Sequence, residues 1–237
     1  LHLETEVKME NVEDYLKEYS NEIVTLTRTY FIWKCINTIA SKDEEILKAM
    51  NHTPSTWNAI LHSLQTTMFI SLGRIFDIDD EAFSIHKFVK FCADNFEQFG
   101  RCELRKRKMA GHEDPPEWLE GYLNTAHFPK KEEFLRLRGE VAKKCKVYES
   151  TYKPIRHKLM AHKDFSAIGS ADSLFSKTNI AELEEIISFC NQIKLVIRQQ
   201  YDNGRKMNLS SDIAFDGEDS MAEKEVKKIL NAIGNKA

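Results

Sequence analysis

The chain is poor in residues that turn a backbone. Nine glycines and five prolines in 237 residues are too few for an all-β fold, whose short strands need frequent turns, and they suit long helices. Closely spaced cysteines are missing as well. The five present (Cys35, Cys92, Cys102, Cys145 and Cys190) are odd in number and contain no CxxC pair. That argues against a disulfide framework or a structural zinc site and for reduced core thiols. No apolar run approaches the roughly 20 residues that a membrane-spanning helix needs, and no charged-then-apolar opening suggests export. A cytoplasmic protein without membrane contact is expected.

Ligand-binding signatures are also scarce. No GxGxxG or Walker-type glycine loop occurs. The acidic stretch "DIDDE" (77–81) has no glycine at its sixth position and Phe88 at its twelfth, which excludes a calcium loop of the EF-hand kind. His157 and His162 are five apart rather than the four that would bring two ligands to one helix face. Neither a metal nor another cofactor is expected.

What remains is an ordinary globular balance, with 42% hydrophobic and 30% charged residues, in a chain long enough to bury a real core. Net charge is −3, but it is unevenly spread: residues 101–163 carry 16 Lys and Arg against 9 Asp and Glu, and the remainder carries 18 against 28. An anionic partner at the central region would produce such an asymmetry. So would a set of solvated helix faces.

Apolar residues recur at three- and four-residue steps (Leu16, Tyr19, Ile23, Leu26, Tyr30, Trp33, Ile36) and predict a long amphipathic helix over 7–40. Further helices are expected over 44–50, from Thr53 or Ser55 to 75, and over 84–100. Residues 101–128 change character. A basic run is followed by Gly111 and the Pro115–Pro116 break, marking an irregular insertion. A helix over 130–152 then meets Pro154, which either starts a new helix or kinks the old one. Asn179 and Glu182 fit a capping box opening a helix to 201, and Ser220 and Glu223 fit another. The fold class is all-α: a helical bundle with one insertion.

Within this frame "IRHKLMAHKD" (155–164) stands out. An Arg followed by a His after four to six intervening residues is a weak pattern, because 10 arginines and 8 histidines yield such pairs by chance. The chain has three: Arg105 and Arg107 with His112, and Arg156 with His162. His112 sits between Gly111 and a double-proline break, so nothing rigid fixes it. Arg156 and His162 share one predicted helix, and catalytic geometry needs rigid support. Six α-helical steps of 100° would leave the two side chains about 120° apart around the axis, so a second subunit could complete the site.

This motif resembles the signature of the HEPN superfamily: an Arg, a polar residue directly after it, and a closing His. "YKPIRHKLMAHKD", "LGRIFDIDDEAFSIHKF" (72–88) and "ELEEIISFCNQIKLVIRQQYDNGR" (182–205) together resemble the AbiU-like abortive-infection branch. The likeness covers about 56–205. On that basis residues 1–205 form one HEPN-like helical domain, followed by a linker and a short C-terminal helix over 206–237.

The resemblance implies an antiparallel helical bundle that pairs as a homodimer, with two motifs facing across a composite site. It also implies metal-independent cleavage of RNA by the ribose 2′-hydroxyl. His162 would act as general base or acid, and Arg156 would hold the phosphate oxygens. His157 would position the site, and Lys158 and Lys163 would attract the RNA backbone. Asp164, Arg74 and Asp77 are supporting candidates; Arg74 and Asp77, three apart on a helix, could equally pair with each other. An antitoxin partner is a further implication. Lys163 and Asp164 stand where members silenced by a nucleotidyltransferase carry a tyrosine, which speaks against that route. The alternative is a non-catalytic helical module that binds RNA or another protein.

Overall fold

The computed structural model describes residues 11–79, 82–161 and 178–234, with the backbone alone at 159–161. Among them no strand occurs. Helix α1 (Val12–Ala40) opens where the Asn11 side chain accepts the Asp14 amide at 2.9 Å. Extended backbone at Asn11 starts this helix five residues later than periodicity alone predicts. Its stripe of Leu16, Tyr19, Ile23, Leu26 and Tyr30 is buried, so one face of α1 becomes the axis of the molecule.

Helix α2 (Glu44–Asn51) is capped by Asp43, whose carboxylate accepts from the Glu45 and Ile46 amides at 3.1 Å each. Helix α3 (Pro54–Ile75) starts on a proline, whose missing N–H costs nothing in a first turn. Only its second half is buried, through Met68, Phe69, Leu72 and Ile75. Helix α4 (Ile85–Asp94) buries Ile85, Phe88, Val89 and Cys92 and runs into a 3₁₀ turn, Phe96–Phe99. Helix α1 packs against α3 and α4.

The insertion is more regular than its sequence suggests. It holds α5 (Arg101–Met109) and α6 (Leu119–Thr125), joined around a small core of Leu104, Leu119 and Leu123. Helix α7 (Lys131–Val147) packs on α4. Beyond it the chain neither breaks nor restarts at Pro154. It winds as π-helix over Tyr148–Tyr152, as one α-turn over Lys153–Ile155, and as π-helix again over Arg156–Ala161. A proline ring clashes with the carbonyl four residues back, and the wider π turn relieves that clash.

Helix α8 (Ile180–Asn203) is capped by Asn179, which accepts the Ala181 amide at 2.8 Å, and ends at Gly204 with φ +58°. Left-handed backbone there fits the glycine that helix ends favour. Helix α9 (Glu218–Gly234) begins two residues before the predicted Ser220 cap. Asp216 and Gly217 both have positive φ and form the turn that sets its start. Helix α9 lies along α1, and its Val226 and Leu230 close a second core with Ile36, Ala40, Ile46 and Met50. All five cysteines are unpaired.

Two polar features tie the bundle together. Asn191, fully buried, donates to the Thr27 hydroxyl at 2.9 Å and to the Ile187 carbonyl at 3.0 Å. Glu184 accepts from the Tyr30 hydroxyl at 2.7 Å and pairs with Lys34.

Candidate functional site

The motif begins on a firmly held segment. Ile155 is fully buried. Tyr152, equally buried, sends its hydroxyl to the Asn179 carbonyl at 3.3 Å, tying the π-wound stretch to the start of α8. Its ring lies 6.4 Å from that of Phe69 on α3.

Arg156 follows, half-buried, and its side chain crosses Gly73 of α3. A Cβ built on Gly73 would lie 2.3 Å from the arginine Cδ and Nε and 3.0 Å from Cζ. Glycine here opens a groove in α3 that the guanidinium stem occupies. The arginine Nε is buried with no hydrogen-bond partner.

Tyr148 stands beside it, its ring stacked on Phe76 with centroids 5.3 Å apart. Burial pushes the Tyr148 hydroxyl up to about 12, the Arg156 charge pulls it down, and the Asp77 carboxylate pushes it up. The contact with Arg156 is electrostatic: it falls short of hydrogen-bond geometry, and the hydroxyl is buried without a partner. Arg156, Tyr148 and Asp77 therefore form one cluster, holding a fixed cation, a neutral phenol and a carboxylate. Such a set can grip a phosphate and supply a donor to it.

The remaining sequence candidates separate. His157 and Lys158 are exposed on the π-wound turn. His162, Lys163 and Asp164 lie outside the described residues. Arg74 does not pair with Asp77. It reaches α1, where its Nη1 lies 3.1 Å from Glu22 Oε1. Asp77 follows the end of α3, accepts the Asp79 amide at 3.0 Å and lies near enough to Tyr148 for its charge to act there. The 120° separation expected between Arg156 and His162 assumed α-helical steps. Residues 156–161 are π-wound, so each step turns through a smaller angle and that figure does not apply.

Periodicity could not have revealed Tyr148 and Gly73. The one available signal was an isolated glycine inside the strong helical pattern of α3, which usually marks a close approach.

The basic run of α5 is consumed within the molecule. Arg107 donates to the Gln98 carbonyl at 3.0 Å and the Tyr201 carbonyl at 2.9 Å, and stacks 3.8 Å from the Tyr201 ring centroid. Arg101 and Arg105 both pair with Glu120. Lys106 pairs with Glu103, and Lys108 donates to Asn203. Arg107 and Lys108 fasten the insertion to the end of α8, and the other three cations pair within it.

Among the described residues no group of three or more His, Cys, Asp or Glu side chains is placed to hold a metal ion. No helix among them is long and apolar enough to cross a membrane.

A family model described as AbiU2, of the HEPN group, matches residues 9–219. No curated protein and no solved structure matches the chain.

Proposed function

The chain belongs to the AbiU2 family of HEPN domains related to abortive infection, and from that membership we propose that it is a metal-independent endoribonuclease acting as a toxin in phage defence. The observation that carries this reading is Arg156, seated on Gly73 with its Nε buried and unpartnered. Arg107 also leaves its Nε unpartnered, but it commits both Nη groups to the Gln98 and Tyr201 carbonyls and so is fixed as a structural tie.

The chemistry is a transesterification within the RNA. The ribose 2′-hydroxyl attacks the adjacent phosphorus as its proton passes to a base. The bond to the 5′-oxygen breaks as that oxygen takes up a proton. The products are a 2′,3′-cyclic phosphate and a 5′-hydroxyl, with no further reactant needed. His162 is the group for proton transfer, since imidazole titrates near neutrality. Arg156 stabilises charge on the non-bridging oxygens. Tyr148, neutral at physiological pH, is placed to donate beside it. His157 and Asp164 support the site, Asp77 faces it through Tyr148, and Lys158 and Lys163 draw in the backbone. A homodimer with two facing motifs would complete the site, and an antitoxin would restrain it.

Incubation with cellular RNA in excess EDTA tests this reading, alongside folded Arg156→Ala and His162→Ala variants. Cleavage to 2′,3′-cyclic phosphate ends by the parent alone is the expected result. RNA that is bound but left intact by the parent would make the protein a binding module instead.

A further inference from the structure

Beyond Asp77 lies α4, and the side chain at its N-cap makes no capping hydrogen bond. Ser84 holds the N-cap position in extended backbone and is 1% exposed, yet its side chain caps nothing and its Oγ has no hydrogen-bond partner. Two residues on, the Nε2 of His86 is also buried and unpartnered. By contrast, Asn11, Asp43 and Asn179 each spend a side-chain oxygen on the first turn of their helices. Buried polar groups normally find a partner, so two orphans within the first turn of one helix call for one.

Both groups line an open cavity of about 550 Å³. Its other walls include Asp77, Lys90 and Arg138 of α7. Arg138 lies close enough to His86 and to Asp94 for its charge to act on both. Of the two acids, Asp94 is paired with Lys131 at 3.0 Å, and Asp77 accepts the Asp79 amide. The amides of a helix's first turn lack partners within the helix and carry its positive end, and together they favour an oxyanion. A serine hydroxyl, an imidazole nitrogen, an arginine and a helix N-terminus form a donor set suited to phosphate oxygens.

We propose that the α4 entry, with Ser84, His86 and Arg138, is a second phosphate-binding subsite that seats a backbone phosphate of the RNA strand whose scissile phosphate lies at Arg156. The identity of the occupant rests on the nuclease reading; the subsite itself rests on the cavity. Asp77 joins the two places, since it lines the cavity and its charge reaches Tyr148 beside Arg156. The strand would thus leave Arg156 past Asp77, away from the internally paired basic run of α5.

The test uses single-stranded 2′-O-methyl RNA, which binds but cannot be cut through its 2′-oxygen, with inorganic phosphate as a separate probe. Ser84→Ala breaks no existing bond and should melt like the parent. It and Arg138→Gln should each weaken RNA binding roughly 3- to 30-fold, and Arg138→Gln should lower the slope of log affinity against log salt by about one. Inorganic phosphate that raises the melting temperature of the parent but not of Ser84→Ala, with RNA affinity unchanged in both variants, would give the subsite to a free phosphate and overturn the strand assignment. Unchanged RNA affinity and no phosphate response would overturn the subsite altogether. If the two variants weaken RNA binding while the parent cuts no RNA in EDTA, the subsite stands and the nuclease reading falls.

Discussion

The side chain of Arg156 rests on the bare backbone of Gly73, where a methyl group would lie 2.3 Å from its Cδ and Nε. An arginine stem is flexible and a helix backbone is not, so Gly73→Ala should shift the guanidinium rather than unfold α3. Alanine favours a helix interior over glycine by about 1 kcal/mol, which offsets part of any strain. Urea denaturation should find stability within about 1 kcal/mol of the parent, while RNA cleavage falls roughly 10- to 100-fold through misplacement of the charge. Parent-like cleavage would mean that the seat on Gly73 is irrelevant to activity.

Tyr148 gives a complementary test. Its hydroxyl is buried without a hydrogen-bond partner, so Tyr148→Phe removes an uncompensated polar group and keeps the stack on Phe76. Stability should be equal or higher, by up to about 1 kcal/mol. Tyr148→Ala, which also loses the ring, should cost about 3–5 kcal/mol. A marked loss of stability in the phenylalanine variant would show that the hydroxyl has a partner in solution.

His86 sets a pH dependence. Burial, and then the nearby Arg138 charge, hold its pKa below the ordinary imidazole value, with Glu149 acting weakly the other way. Between the lowered folded value and the ordinary one near 6.5, the unfolded chain binds more protons than the folded one. Stability therefore rises with pH through that window and is lost on acidification. Chemical denaturation at pH 5 and pH 7.5 should show a smaller difference in His86→Gln than in the parent; equal differences would remove His86 as a source.

Gly204 is a structural test away from the site. At φ +58° it ends α8, and an added Cβ would lie 2.7 Å from that of Ala126 and 3.0 Å from Leu104 Cδ2. Gly204→Ala should cost about 1–3 kcal/mol, measured by urea denaturation. Because His127 N donates to the Gly204 carbonyl at 2.7 Å, the variant should also loosen the insertion, read as faster proteolysis around 110–118.

The helices were legible because their burial patterns and caps are local. Asp43 and Asn179 lie at the breaks in periodicity where α2 and α8 begin. The start of α9 was misread because two capping signals competed, and the Asp216–Gly217 turn won over Ser220. The resemblance seen over about 56–205 widens to a family match over 9–219. Helix α1 added nothing to that resemblance because many helices bury a stripe like Leu16, Tyr19 and Ile23.

At the site, Arg156 could be read from its motif. Its neighbours could not, since Gly73 and Tyr148 meet it only through the packing of α3 against the π-wound turn. Periodicity placed Arg74 and Asp77 near each other but does not fix side-chain direction past a helix end, and there the two diverge. The charge excess of 101–163 was equally opaque: counting cations does not reveal that those of α5 are already paired.

The π turns on either side of Pro154 make the site depend on the number of residues as well as on their identity. A π turn holds one more residue than the α turn it replaces. Removing one residue from 149–151 would let the chain close into ordinary α-helix, and Arg156 would swing by about 100° off the groove at Gly73. Every side chain of the cluster would survive such a deletion while their meeting point was lost. For this segment, chain length constrains the site as tightly as composition does.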